Sequence, residues 1–108
     1  MSDIHAPQGT WRLLRDGEVV CTLHYLRADQ PFFISEVEPS PGWPSVKPYF
    51  DELSAVPRPD KDGLRTARAL KRLRALQLVL EDMASGRVVD RYYLAIDDDL
   101  ATLRISGS

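Results

Sequence analysis

Side chains able to do nucleophilic or acid–base work are few in this sequence: two histidines, His5 and His24, and one cysteine, Cys21. Cys21 stands within the apolar run Val19-Val20-Cys21-Thr22-Leu23, where burial raises a thiol's pKa and leaves it inert, so it reads as a packing residue. Along a strand, residues three apart point to opposite faces, which removes a Cys21–His24 dyad. His5 falls in residues 1–8, which read as a flexible arm. The run Asp97-Asp98-Asp99 lacks the spaced oxygens of a calcium loop, and adjacent carboxylates at a hairpin tip diverge, so it reads as a solvated turn. Glu36, Glu38, Asp51 and Glu52 are carboxylates that nothing in their spacing brings together. With no P-loop, dinucleotide fingerprint, HExxH or GxSxG, the expectation is no catalytic residue, no metal and no cofactor.

Two constellations remain. Between Leu64 and Ala75 stand five cations (Arg65, Arg68, Lys71, Arg72, Arg74) and no acid. The rest of the chain then holds nine cations against sixteen acids, an acidic body of net charge −7. On a helix, Arg65, Arg68 and Arg72 share the side opposite Thr66, Ala69, Leu70 and Leu73, and guanidinium forks suit oxyanions. The plain alternative is a solvated face neutralised by Glu81, Asp82 or Asp90. Duplex DNA would be repelled by the acidic body, and no helix-turn-helix spacing precedes the stripe, so nucleic acid is not the expected partner. The second constellation is Trp11 with His24, an aromatic-lined place for a small ligand if the two share a sheet face.

These residues depend on two hairpins. Asp16-Gly17 is a two-residue turn signal, because both positions tolerate φ > 0. A regular ladder from it pairs Arg15 with Glu18, Leu14 with Val19, Leu13 with Val20, Arg12 with Cys21 and Trp11 with Thr22, which places His24 on the face of Trp11. The strand Glu18 to Leu26 is apolar on both sides, as in a strand covered twice. Pro31 to Glu38 supplies a third strand. A turn at Asp98-Asp99 pairs Ile96 with Ala101, Leu94 with Leu103, Tyr92 with Ile105, Ala95 with Thr102 and Tyr93 with Arg104. Between the hairpins, a helix is predicted over 46–55, N-capped by Ser45 with Pro48 in its first turn. A second starts near Asp60 or Asp62 and ends near Ala75, because continuing it would put Leu76, Leu78 and Val79 among the cations. Read as a strand, Leu76, Leu78 and Leu80 alternate with Gln77, Val79 and Glu81.

The order is therefore βββ–αα–βββ, an α+β fold with a mostly antiparallel sheet and two helices on one face, all in one domain over 9–108. A chain of 108 residues, 44% apolar and 28% charged, folds without staples and is not globally disordered. A lone cysteine excludes an internal disulfide and a thiolate zinc site. No apolar run approaches the ~18 residues of a membrane span, and residues 1–7 do not read as a signal peptide, so a cytoplasmic protein is expected.

Trp11-Arg12-Leu13-Leu14-Arg15-Asp16-Gly17, Val46-Lys47-Pro48-Tyr49-Phe50 and Leu94-Ala95-Ile96-Asp97-Asp98-Asp99 together resemble a group of short hypothetical proteins of high-GC, actinobacterial genomes. The resemblance covers most of the chain and rests on turn and packing residues. It implies a fold and no activity, since the group has none assigned.

Two helices normally cover one sheet face, and apolar residues on both faces call for a second copy or another protein on the other. The leading expectation is thus a non-catalytic interaction module of adaptor or immunity type, a homodimer or a binder of another protein, with Trp11, His24 and Tyr93 at the partner surface. The rivals are a small enzyme or ligand carrier with a pocket at Trp11 and His24, and an anion binder using Arg65, Arg68 and Arg72.

Overall fold

The structure, a computed structural model, describes residues 9–57, 59–89 and 91–105; the arm expected over 1–8, with His5, and Asp90 lie outside the described residues. Asp16 and Gly17 have φ of 52° and 83°, the left-handed pair the first turn requires. They join β1 (Thr10–Arg15) to β2 (Glu18–Asp29), and β3 (Phe32–Pro39) follows. A 3₁₀ turn, Trp43–Ser45, leads into α1 (Lys47–Ser54), and α2 (Leu64–Ala75) follows. Then come β4 (Val79–Asp82), the two-residue β5 (Val88–Val89), β6 (Tyr92–Asp97) and β7 (Leu100–Ile105). The order βββ–αα–βββ holds, with β5 added to it.

All seven strands form one antiparallel sheet in the order β5-β4-β1-β2-β3-β7-β6. That order forces a curl. Laid flat, six inter-strand steps of ~4.8 Å would put β5 about 29 Å from β6. Yet the chain passes from Val89 to Tyr92 in three residue steps, a reach of at most about 11 Å. The two edges must therefore approach each other, and the sheet becomes an incomplete barrel. Its concave side holds Trp11, Leu13, Cys21, Leu23, Val37, Leu80, Leu94, Ile96, Ala101 and Leu103, each under a tenth exposed. The same core takes in Trp43, Val46, Phe50 and Leu53. Trp43 stacks on Phe50 at 5.6 Å between ring centres. Helix α1 lies against β6, and α2 packs on α1 through Ala69 and Leu73.

The second hairpin has the predicted register throughout, with Asp98 at φ 60° in its turn. The first does not. Arg15–Glu18 and Leu14–Val19 pair as expected, but a bulge then leaves Val20 unpaired, so Leu13 faces Cys21, Arg12 faces Thr22 and Trp11 faces Leu23. One extra residue on β2 reverses the face of everything beyond it. Cys21, Leu23 and Tyr25 consequently share the concave side, and Thr22 and His24 face out. Beyond the bulge, the strand expected to be apolar on both sides has an inner row of core residues and an outer row, Thr22 and His24, that is polar.

Helix ends differ in detail. Val46, not Ser45, precedes the first turn of α1, and the Ser45 hydroxyl donates to the Gly42 carbonyl at 2.8 Å. Pro48 does fall in that turn. Before α2, the Asp60 carboxylate accepts from both the Thr66 amide and hydroxyl at 2.9 Å, which holds its pKa below the ordinary carboxylate value. Helix α2 stops at Ala75, as predicted, where Gln77 turns left-handed at φ 54°.

Candidate functional site

Trp11 and His24 do not form a pocket, because the bulge sets them on opposite faces. Trp11 is 2% exposed and packs inside the barrel with Phe33, at 5.9 Å between ring centres, and with Tyr25, edge-on at 6.5 Å. A Cβ on Gly9 would stand 2.9 Å from both the Trp11 ring and the Tyr25 Cβ, so only glycine fits above this aromatic trio. His24 lies on the outer face with Nε2 2.6 Å from a Glu38 carboxylate oxygen, beside an Arg12–Glu81 ion pair at 3.0 Å. The outer face is polar at Arg12, Thr22 and His24, and carries two apolar strips, Ile34 with Ala95 and Tyr93 on one side and Leu14 with Val19 and the exposed Val79 on the other. Trp11, expected at a partner surface, is instead buried within its own chain. Tyr93 faces out opposite Arg104, half-buried.

The basic helix face does not converge on an anion either. Arg72 is taken by Glu52 of α1 at 3.2 Å, a neutralising partner different from the acids expected. Glu81 holds Arg12, and Asp82 accepts from the Ala84 amide and the Ser85 hydroxyl in a turn. Arg65 and Arg68 flank a shallow groove of about 260 Å³ with Glu52, Ala55, Val56 and Pro57, in which Glu52 is already held by Arg72. Burial pushes the Cys21 thiol up to about 12, which suits packing and not catalysis.

The feature of note lies at the opening between the barrel's two edges. There a cavity of about 410 Å³ is walled by α2 (Leu70, Leu73, Arg74), by Gln77 and Leu78 ahead of β4, by Arg91 to Leu94 of the β6 edge, and by Phe50. Its size is that of a small-ligand site. The floor is apolar and the rim carries two guanidinium groups. Arg12, Lys47 and Arg72 each hold a carboxylate, while Arg74 and Arg91, like Arg65 and Arg68, pair with none among the described residues; what sets Arg74 and Arg91 apart is their place at the mouth of an apolar recess. The Tyr92 hydroxyl crosses the opening to donate to the Leu78 carbonyl at 2.9 Å, and burial raises its pKa above the ordinary 10.0. Gln77 sits on the wall in a left-handed conformation that an ordinary residue adopts only at a cost.

Sequence reasoning reached Tyr93 and counted Arg74 in the stripe, but missed Arg91, Tyr92 and Gln77 as cleft residues. The usable signal was the short link from Val89 to Tyr92, which requires the sheet edges to meet beside α2. Among the described residues no three acidic, histidine or cysteine side chains converge as metal ligands, and no helix is long and apolar enough to cross a membrane. Comparison with protein-family models, with curated proteins and with solved structures finds no match in any of the three.

Proposed function

We propose that this protein is a non-catalytic binding module whose site is the cleft between the sheet edges, and that its ligand is an amphipathic anion. The observation that carries this is the pairing of an apolar floor (Leu70, Leu73, Leu78, Phe50, Leu94) with Arg74 and Arg91 at the rim, both without a carboxylate among the described residues. A guanidinium at the mouth of an apolar recess rewards an acid attached to a hydrophobic body. The described lining has no histidine, cysteine, serine or carboxylate, and its Tyr92 hydroxyl is already given to the Leu78 carbonyl, which favours binding over catalysis.

The test is a titration with 1-anilinonaphthalene-8-sulfonate, itself an apolar body bearing an anion. Saturable one-site fluorescence enhancement is expected, falling at least about tenfold in affinity in Arg74→Glu/Arg91→Glu, a loss of ~1.4 kcal/mol or more. Both arginines are exposed, so the variant keeps its fold. Enhancement that is absent, or equal in the variant, refutes the reading.

A further inference from the structure

The wall of the cleft formed by β6 is a sheet edge. In the hairpin closed by Asp98 and Asp99, Asp97, Ala95 and Tyr93 exchange backbone hydrogen bonds with β7, so the backbone groups of Ile96, Leu94 and Tyr92 point away from β7. At Ile96 that outward carbonyl is already used: the Ser54 hydroxyl donates to it at 2.8 Å. At Leu94 nothing among the described residues meets the outward N–H and C=O, although Leu94 is only 5% exposed and lines the cleft. An unpaired N–H and C=O on an edge strand are a template for a further strand. Across the opening, the Gln77–Leu78 segment is reached only through the whole Tyr92 side chain and one hydrogen bond. The two sides therefore stand further apart than the ~4.8 Å of neighbouring strands and cannot satisfy each other.

We infer that the anion is carried by an extended segment of a partner protein, which adds to the β6 edge as a short strand at Leu94. This rests on the reading of the cleft as the binding site. A strand laid there pairs its backbone with Leu94, presses one apolar side chain onto Leu73 and Phe50, and brings an Asp or Glu near Arg74 and Arg91. Ser54 stops the added strand before Ile96, so the recognised segment is short.

Selection of a random linear-peptide display library on the immobilised protein, followed by amide hydrogen exchange of the complex, tests this. The expected result is a family of peptides combining acidic and apolar residues, displaced by anilinonaphthalenesulfonate and weakened by Arg74→Glu/Arg91→Glu. In the complex the Leu94 amide should exchange at least about tenfold more slowly, while the Ala95 amide, already bonded to β7, is unchanged. Peptides that occupy the cleft and leave the Leu94 amide untouched would overturn strand addition and leave the cleft reading standing. Selection of no peptide by a protein that does bind the fluorescent anion would overturn a peptide ligand alone. Failure of both probes would remove the cleft reading itself.

Discussion

The Tyr92 hydroxyl and the Leu78 carbonyl, 2.9 Å apart, are a bond between the two sides of the sheet's opening. Removing the hydroxyl alone leaves a half-buried carbonyl without its donor. Tyr92→Phe is expected to lower unfolding stability by ~1 kcal/mol in urea denaturation. An unchanged midpoint would mean the bond does not fasten the opening.

Gln77 has φ 54° immediately after α2, a position usually filled by glycine. Gln77→Gly relieves the strain, while the looser unfolded chain offsets part of the gain. Stability should rise by up to about 1 kcal/mol, read as a higher Tm. Because Gln77 also lines the cleft, affinity for the fluorescent anion should not improve with it.

Ser35 is fully buried on the concave side, and its hydroxyl has no partner among the described residues. It stands opposite Tyr25 on β2 and Ala101 on β7. Ser35→Ala deletes an orphaned polar atom without opening much space, so a gain of ~1 kcal/mol is expected in the same urea titration. A loss would show that the hydroxyl does hold a partner such as an internal water.

Alkaline pH should unfold this protein through Cys21 and Tyr92. The Cys21 thiol is moved by burial from its ordinary 9.0 to about 12, and Tyr92 is moved in the same direction for the same reason. Both groups remain neutral in the folded chain at a pH where the unfolded chain has already lost their protons. The unfolded state thus binds fewer protons, and stability falls as pH rises above about 9. The Cys21→Ala variant should fall less over pH 9 to 12 than the parent. In the native protein at pH 8, Cys21 should resist a disulfide reagent that labels it at once in denaturant.

The two hairpins show how far the sequence could be read. Each was identified from a two-residue turn with residues tolerant of positive φ, and that signal alone fixed all six pairs from Tyr92–Ile105 to Asp97–Leu100. At Asp16-Gly17 the same signal fixed only the two pairs nearest the turn, because the bulge at Val20 is set by packing: Val20 is 2% exposed, its side chain lies against Gly42, and its carbonyl accepts from the Ser40 amide at 3.0 Å. No local pattern announces a contact with a segment twenty residues away. The end of α2 was legible because continuing it would have exposed Leu76, Leu78 and Val79 among cations. The cleft was not, since its walls come from four separate segments that only the curl assembles.

The strand order also dictates a sequence of assembly. Strands β1, β2 and β3 are consecutive and can pair as soon as they are synthesised, but the outer neighbour of β1 is β4 and that of β3 is β7. The Arg12–Glu81 pair joins residues 69 positions apart, and Phe33 waits for Leu103. A nascent chain still lacking its last strands would therefore hold a three-stranded meander with two unsatisfied borders. Such distant pairings make refolding slow for a chain of this size, and the ribosome-bound intermediate is where a chaperone would find something to protect.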